Sequence, residues 1–466
     1  MGDAAKQARS FHVTTTREQV VTAALPLQDH WLPLSNLDLL LPPVHVSVCF
    51  CYKKPHHFLS VAETLKASLA EALVSYYAFA GELVKNSAGE PEILCNNRGV
   101  HFLEALADVE LRELNLHDPD ESIAKLVPKK KHGVLAIQVT QLKCGSIVVG
   151  CTFDHQIADA FSMNMFLVSW AEISRSDVPI SSVPSFRRSM LNPRRPFIMD
   201  SSIDKMYVHM HVASFPLPQE TTNDPDNILT SRIYYIEANA LEDLQSLASS
   251  SSSKNGYSQR TKLESFSAFL WKLVAKHAGR ELVSNKKSKM GIVVDGRRRL
   301  MEKENSTYFG NVLSIPFGGH SINDLIDKPL SWVSNEVHKF LEEAVTKDHF
   351  LNLIDWVEIH RPIPAVSRIY STGANDGPAF VVSSGRSFPV TKVNFGWGLP
   401  VFGSYHFPWE GSAGYVMPMP SPVNDGDGDW VVYLHLTKGQ LKFIEEEVSH
   451  VLKPIDNDYL KINTIF

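Results

Sequence analysis

Segments with the periodicity of β-strands alternate with segments of helical periodicity along both halves of the chain. Runs rich in β-branched and aromatic residues at 44–52, 146–153 and 290–294 predict strands. Apolar residues at helical spacing predict amphipathic helices at 162–173 and 262–277. This alternation favours an α/β fold.

A proline-rich stretch separates the two halves. Its prolines stand at positions 179, 184, 193, 196, 216, 218 and 225. Such a stretch, with little hydrophobic periodicity, is typical of a linker or crossover. The chain has 466 residues, which is more than one hydrophobic core normally supports. We therefore predict an N-terminal domain at 1–180, a crossover at 181–225 and a C-terminal domain at 226–466.

Charge and hydropathy argue against two classes of partner. The formal net charge is −6 at pH 7, whereas nucleic-acid-binding proteins normally carry a basic excess. No apolar run approaches the roughly 18 residues that a membrane span needs. Residues 1–17 also lack the apolar core of a secretory signal. We expect a cytoplasmic protein that binds neither nucleic acid nor membrane.

The cysteines do not form a recognisable metal or disulfide pattern. There are five of them, an odd number, and none belongs to a Cys-x-x-Cys pair. Cys49, Cys51 and Cys151 lie in apolar strand-like runs, where a free cysteine behaves as a small hydrophobe. We therefore expect no zinc site, and free thiols fit a reducing cytosol.

Two segments match the pattern His-x-x-x-Asp, which can place a base beside a carboxylate. With 19 histidines in the chain, about one match is expected by chance. One match is His155…Asp159 and the other is His320…Asp324. The second lies in a glycine-led polar segment, which predicts a turn followed by a helix cap.

His155 stands where a buried strand gives way to a helix. A strand fixes the backbone at such a turn, while the side chain stays open to a cleft. A neutral imidazole there can take a proton from an attacking hydroxyl. Alternatively, His155 is a core histidine and Asp159 caps the following helix. The neighbouring Asp154 is a further candidate partner for the histidine.

A second segment, Asn394-Phe395-Gly396-Trp397-Gly398, places glycines around a tryptophan. Glycines let the backbone and a large ring pack closely. Taken alone, this pattern predicts a structural turn and no chemistry.

Together the two segments resemble the paired motifs of the plant BAHD acyltransferases. That family carries His-x-x-x-Asp in its N-terminal half and Asp-Phe-Gly-Trp-Gly near its C-terminal end, an ordered pair that chance rarely supplies. Segments 34–38, 80–82, 295–299 and 308–311 also resemble the family, so the resemblance covers nearly the whole chain.

Finer similarity points to one subgroup, the coniferyl-alcohol acyltransferases and the similar coumarin synthases. Segments 26–38, 95–99 and 402–409 resemble it. That subgroup also carries Asn at the first position of the second motif. Asn394 loses the charge of an aspartate there but can keep its hydrogen bonds.

The resemblance implies a fold and a set of substrates. The fold is two similar-sized domains with mixed β-sheets flanked by helices, like chloramphenicol acetyltransferase. An active-site channel then runs between the domains. Acyl-CoA is the donor co-substrate, no cofactor or metal is permanently bound, and the protein is expected to be a monomer.

The resemblance also assigns roles to residues. His155 becomes the general base, and Asp159 becomes a structural residue paired with Arg297 or Arg299. The residues expected to bind CoA are Ser265, Asp295, Arg297 and Arg299. The arginines follow a strand and a glycine, as a phosphate or pantetheine contact would, although solvated arginines are the simpler alternative.

The oxyanion and acceptor pocket is expected to include Ser35, Asp38, Ser383 and Gly385. Related enzymes have Thr/Ser-x-Trp where this chain has Ser383-Ser384-Gly385. We expect the glycine to remove an indole donor and to open volume beside the reacting carbon. Oxyanion stabilisation would then rest on Ser383 or on the backbone.

Three functions remain open at this point. The first is transfer of an acyl group from CoA to a phenylpropanoid alcohol. The second is isomerisation and lactonisation of a 2-hydroxylated hydroxycinnamoyl-CoA, which gives a coumarin and free CoA. Both use the same base and the same thiolate leaving group, so the motifs do not separate them. The third is a non-catalytic paralogue that only binds ligands.

Overall fold

In the computed structural model of the chain, the described residues are 10–55, 61–175, 180–210, 225–249, 259–281, 286–301, 307–371, 376–423 and 428–462. The strands among them are β1 (Val13–Val21), β2 (His30–Pro33), β3 (His45–Tyr52), β4 (Glu82–Lys85), β5 (Pro91–Cys95), β6 (Val100–Ala107), β7 (Leu135–Leu142), β8 (Ile147–Asp154), β9 (Tyr207–His209), β10 (Leu229–Ile236), β11 (Lys287–Asp295), β12 (Leu313–Ser314), β13 (Phe317–Ser321), β14 (Ala365–Ser367), β15 (Asp376–Ser383), β16 (Phe402–His406), β17 (Gly414–Pro420), β18 (Trp430–Thr437) and β19 (Lys453–Pro454).

The α-helices among them are α1 (Val61–Ser75), α2 (Ile123–Leu126), α3 (Ala160–Ser174), α4 (Ser201–Met206), α5 (Ala238–Ser249), α6 (Lys262–Arg280), α7 (Arg297–Leu300), α8 (Ile322–Asp327), α9 (Leu330–Ala344), α10 (Lys347–His360) and α11 (Lys438–Val448).

Six strands form a mixed sheet, which we call the N-terminal sheet, in the order β1-β6-β7-β8-β3-β16. The pair β6–β7 is parallel and the other pairs are antiparallel. Every residue of β8 is buried, as expected for an apolar strand near the middle of a covered sheet. Helices α1 and α3 pack together, and the indole of Trp170 on α3 donates to the Leu65 carbonyl of α1 at 3.1 Å.

The last strand of the N-terminal sheet comes from the C-terminal half of the chain. Strand β16 pairs antiparallel with β3, from Phe402 opposite Cys51 to His406 opposite Ser47. The C-terminal half therefore completes the sheet that carries β8. The domain boundaries at 180 and 225 stay a prediction. By those boundaries β16 belongs to the C-terminal domain, although it pairs in the N-terminal sheet.

A second mixed sheet, which we call the C-terminal sheet, has the order β12-β11-β15-β17-β18-β10-β19, with β13 also paired to β11. The pairs β11–β15 and β15–β17 are parallel, and the remaining pairs are antiparallel. Apolar side chains of α6, including Phe266 and Trp271, pack into the core with residues of this sheet. Two mixed sheets with packed helices confirm the predicted α/β fold.

The proline-rich segment packs against the C-terminal half where it is described. Residues 211–224 of the predicted crossover lie outside the described residues. Strand β9 pairs with β14, and Ser185 forms an isolated bridge with Tyr308. Arg194 donates to the buried carboxylate of Asp355 at 2.8 Å.

The five cysteines are all free, and four of them are buried. Burial raises the pKa of the Cys49 thiol to about 12, so the thiol stays protonated at neutral pH. Among the described residues, no group of three or more His, Cys, Asp or Glu side chains is arranged to hold a metal ion. The described helices include none with the length and apolarity to cross a membrane.

Candidate active site

A cavity of about 1010 Å³ is lined by residues of both sheets. The N-terminal sheet contributes residues beside β3 and at the end of β8, including His155. The C-terminal sheet contributes the ends of β11 and β15, where Val293 lies opposite Ser383. Concave sites between two structural units are typical ligand sites.

His155 is the first residue after β8, and its side chain lines the cavity. Its backbone N–H donates to the carbonyl of Val44 at 3.0 Å, which ties the turn to the start of β3. The imidazole is half-buried, and its Nδ1 has no hydrogen-bond partner among the described residues. The predicted strand-turn-helix placement is therefore confirmed, and the ring is accessible from the cavity.

Asp154 contacts groups other than the imidazole. Its carboxylate accepts from the backbone N–H of Gln156 at 3.1 Å and lies 3.9 Å from both Lys130 Nζ and His45 Nε2. Burial raises the pKa of Asp154, and the charge of Lys130 opposes that rise. No hydrogen bond joins Asp154 to the His155 ring in the described part of the chain. The geometry does not support Asp154 as the partner of this histidine.

Asp159 forms a buried, bidentate ion pair with Arg297. The Arg297 Nη1 and Nη2 atoms donate to the two carboxylate oxygens at 2.7 and 3.0 Å. Asp159 also caps α3 by accepting from the Ser162 N–H at 2.9 Å. Arg299 instead donates to the carbonyl of Val345. Of the two arginines considered as partners, the structure selects Arg297.

The predicted CoA contacts fit this geometry only in part. The five N–H groups of Arg297 all have acceptors inside the protein, which include Tyr308 and Gly310 carbonyls. Arg297 therefore has no free donor for a phosphate. Ser265 is fully buried and donates to the Thr261 carbonyl at 2.9 Å, away from the cavity.

The other two predicted CoA contacts differ from each other. Asp295 lines the cavity and accepts from the Arg297 backbone N–H at 2.9 Å. Partial burial raises the pKa of Asp295, and the charge of Arg297 opposes that rise. Arg299 is exposed and is not among the residues that line the cavity.

Ser35 and Asp38 do not line this cavity. Both are buried, and the Ser35 hydroxyl donates to the Asp38 carboxylate at 2.7 Å. The same carboxylate accepts from the backbone N–H of Asn311 at 2.6 Å. This corrects the expectation that the two residues contact the acceptor, because their polar groups are directed into the protein.

Ser383 lines the cavity, but Gly385 does not. A Cβ on Gly385 would lie 2.6 Å from the Pro418 carbonyl oxygen and 2.6 Å from the Met419 side chain. A side chain there would point into β17, so the glycine allows close strand packing. The expectation that Gly385 opens volume beside the reacting carbon is therefore wrong.

The second motif is a compact turn held by Asn394. The Asn394 Oδ1 atom accepts from the N–H groups of Gly396 and Gly398 at 2.9 and 3.1 Å. Both glycines have positive φ, 113° and 109°, which disfavours any other residue. The rings of Phe395 and Trp397 stack at 5.6 Å. None of the five residues lines the cavity, which supports the structural interpretation.

The second His-x-x-x-Asp match lies elsewhere. His320 belongs to β13 rather than to a turn, and its Nε2 lies 3.3 Å from a Glu336 carboxylate oxygen. Ser321 caps α8 by accepting from the Asp324 N–H. The predicted helix cap is confirmed, and His320 does not line the cavity.

Comparison with known proteins identifies the family. The family model described as "Transferase family" matches residues 11–451. The chain belongs to the BAHD acyltransferases. It is an acyl-CoA-dependent acyltransferase, and acyl-CoA is its donor co-substrate.

Curated relatives of this acyltransferase match over most of their length. The tobacco (Nicotiana tabacum) shikimate O-hydroxycinnamoyltransferase is 26% identical over 445 residues, and the match covers 91% of this chain and 96% of that protein. The omega-hydroxypalmitate O-feruloyl transferase of Arabidopsis thaliana is 27% identical over 381 residues, covering 79% of this chain and 78% of that protein.

Solved structures share the fold. Vinorine synthase aligns with a TM-score of 0.68 at 20% identity and covers 95% of this chain and 99% of its own. F. graminearum TRI101, complexed with coenzyme A and deoxynivalenol, aligns with a TM-score of 0.72 at 13% identity, covering 91% and 99%. These likenesses confirm the predicted two-domain α/β fold.

One wall of the cavity in this acyltransferase is aromatic, and it was not predicted from the sequence. Tyr405, Phe407 and Trp409 line it, together with Tyr370 and Tyr415. The rings of Tyr370 and Trp409 meet edge to face at 4.7 Å, and those of Phe407 and Tyr415 at 5.1 Å. The alternation of aromatic residues at 405, 407 and 409 was a usable signal, because alternate residues of an extended chain share a face.

Two cavity arginines lie outside the predicted set of CoA contacts. Arg298 belongs to the basic run 297–299, which predicts a phosphate contact, whereas Arg386 was missed. Arg298 and Arg386 line the cavity, are exposed, and donate no hydrogen bond to another described residue. Arg298 lies next to the saturated Arg297, and Arg386 lies in the loop after β15. The sequence singled out the run of arginines but did not show which guanidinium in the cavity is left without a protein acceptor.

The Asp159–Arg297 pair gives a stability prediction. Asp159→Ala leaves the Arg297 guanidinium buried without its carboxylate, which costs about 3–5 kcal/mol. We expect a clear fall in melting temperature and in activity together, measured by differential scanning fluorimetry and by turnover.

The double variant Asp159→Leu/Arg297→Met removes both charges at similar volume, and should recover much of the lost melting temperature. Arg299→Met is the matched control, because it removes an exposed guanidinium outside the pair. A wild-type melting temperature for Asp159→Ala would contradict a stabilising role for the pair.

Proposed function

We propose that this acyltransferase transfers a hydroxycinnamoyl-type or smaller acyl group from CoA to the hydroxyl of a coniferyl-alcohol-type acceptor, with His155 as the general base. The observation that carries the proposal is the position of His155 on a cavity of about 1010 Å³ that also has an aromatic wall. Such a wall suits a planar phenylpropanoid ring. The relatives named for hydroxycinnamoyl and feruloyl transfer support an aromatic acyl group.

The proposed reaction has one proton carrier and no covalent enzyme intermediate. The His155 imidazole removes the acceptor's hydroxyl proton, and the oxygen attacks the thioester carbonyl. The tetrahedral intermediate then collapses and expels CoA as a thiolate, whose parent thiol has a pKa of about 8.5. His155 returns its proton to the thiolate. The products are an ester and free CoA.

Ser383 is the proposed oxyanion donor. It lies at the end of β15 and lines the cavity, as does Tyr415 on β17. Burial raises the pKa of Tyr415 to about 12. Both hydroxyls therefore stay protonated at neutral pH and can donate where negative charge develops.

Arg298 and Arg386 are the proposed anchors for the phosphates of CoA. Each follows a strand of the C-terminal sheet, β11 and β15, and these strands are parallel neighbours. Both arginines therefore lie at the same end of the C-terminal sheet. Guanidinium groups bind phosphate oxygens with charge-assisted hydrogen bonds.

We place the enzyme in the cytoplasm, because its five free cysteines fit a reducing compartment. We also infer that it acts as a monomer. Both walls of the cavity come from a single chain, so no second copy is needed to complete the site.

The CoA anchors give a kinetic prediction. Arg298→Ala and Arg386→Ala should each raise KM for acyl-CoA about tenfold, the loss of one charge-assisted contact of about 1.5 kcal/mol. KM for the alcohol should change little. Arg299→Ala is the matched control, because Arg299 does not line the cavity. The assignment is wrong if Arg299→Ala raises KM for acyl-CoA as much as the other two changes.

The general base gives a second kinetic prediction. His155→Ala should lower kcat by about 10²–10⁴-fold, with a melting temperature close to that of the unchanged protein. The matched control is His320→Ala, which removes the histidine of the other His-x-x-x-Asp match. A His155→Ala protein with a tenth of the original kcat would refute the assignment.

A substrate experiment tests the reaction type. The purified protein is given feruloyl-CoA with and without coniferyl alcohol, and in a separate arm ortho-hydroxylated feruloyl-CoA without alcohol. We expect ester formation only when the alcohol is present. Lactone formation far above the spontaneous rate in the last arm would show the coumarin-synthase reaction instead. CoA binding without product in any arm would favour a ligand-binding paralogue.

A further inference from the structure

A fully buried carboxylate lies behind the turn that carries His155. One oxygen of Asp38 accepts from the backbone N–H and the hydroxyl of Ser35, at 2.8 and 2.7 Å. Its other oxygen accepts from the backbone N–H and the side-chain Nδ2 of Asn311, at 2.6 and 3.0 Å. Asp38 is 0% exposed, so these four donors replace its hydration.

Asn311 connects this carboxylate to the His155 turn. Its Nδ2 also donates to the carbonyl of His155 at 2.9 Å and to that of Gln156 at 3.2 Å. The same amide nitrogen thus faces a carboxylate and two carbonyls. The reversed orientation would place Oδ1 against three acceptors, so the contacts dictate which way the amide points.

In this orientation the two N–H groups of the amide serve three acceptors, so one N–H is shared between two of them. An aspartate at position 311 would set two carboxylates against each other, and an alanine would leave buried carbonyls without a donor. The carboxylate of Asp38 also polarises the amide of Asn311, which strengthens its hydrogen bonds to the turn. Neither residue lines the cavity, so neither is placed to touch a substrate.

The turn is held at both of its ends by separate buried carboxylates. Asp159 caps α3 and pairs with Arg297 at the helix end. Asp38 holds Asn311 at the other end, where the chain leaves β8 and His155 begins the turn. The imidazole itself has a buried Nδ1 without a described partner. The hydrogen bonds that support this residue are therefore those of its backbone, to Val44 and Asn311.

We propose that Asp38 and Asn311 are positioning residues for His155. This inference rests on the proposed role of His155 as the general base. A base must lie within hydrogen-bond reach of the hydroxyl, and a misplacement of about 1 Å can cost roughly 100-fold in rate. Loss of the bonds to the two carbonyls frees the turn to shift by such a distance.

The test compares Asp38→Asn and Asn311→Ala with Asp355→Asn. Asp355 is a matched control because it is also fully buried and accepts from the Arg194 backbone and side chain. It does not line the cavity. We expect Asp38→Asn to lower kcat about 10- to 100-fold with KM for acyl-CoA within about twofold. Asp355→Asn should lower the melting temperature but should not lower kcat selectively while KM for acyl-CoA stays the same.

A second readout needs no substrate. In protein labelled with ¹³C-histidine, the His155 ring signal is assigned by its absence in His155→Ala. We expect this signal to shift or broaden in Asp38→Asn and Asn311→Ala and to stay unchanged in Asp355→Asn. An unchanged signal in folded Asp38→Asn protein, or an unchanged kcat, would overturn the positioning role. An inactive parent protein with the expected signal changes would overturn the proposed function instead.

Discussion

The buried ion pair between Asp159 and Arg297 is the contact on which the site depends. Asp159 begins α3, directly after the His155 turn, and Arg297 begins α7 after β11. With exposures of 1% and 2%, the two buried charges compensate each other, and the partly exposed Asp295 is a second, longer contact of Arg297 at 3.2 Å. The pair therefore joins the end of β8, where His155 lies, to the ends of β11 and β15, where Ser383 and the two cavity arginines lie.

Charged residues of the site differ in whether their polar groups are bound inside the protein or are directed at the cavity. Asp159 and Arg297 use their hydrogen-bonding capacity inside the protein, whereas His155 and Arg298 keep groups directed at the cavity. Adjacent arginines thus differ in their surroundings. The carboxylates of Asp38 and Asp159 likewise accept from groups inside the protein, whereas the imidazole of His155 lines the cavity.

Local sequence was sufficient to predict the element that carries His155. The predicted strand at 146–153 and helix at 162–173 are observed as Ile147–Asp154 and Ala160–Ser174, because burial, periodicity and a capping aspartate all act over short distances. Asp159 also shows that two interpretations can both hold. It caps the helix, and it pairs with an arginine.

The remaining features depend on contacts that local patterns do not encode. The pairing of β16 with β3 joins residues such as Phe402 and Cys51 that are far apart in the chain. A Cβ on Gly385 would contact β17, and the buried Asp38 carboxylate accepts from Asn311. In both cases the partner is distant in the sequence. Arginines 297 and 299 could not be told apart because their surroundings come from distant segments.

A crystal structure of the protein with bound CoA tests the central claim most directly. We expect the pantetheine sulfur inside the cavity, within about 3–4 Å of the His155 ring, and phosphate oxygens on the guanidiniums of Arg298 and Arg386. We also expect the Asp159–Arg297 pair to stay intact. CoA bound with its sulfur away from His155, or with its phosphates on another surface, would refute the proposed site.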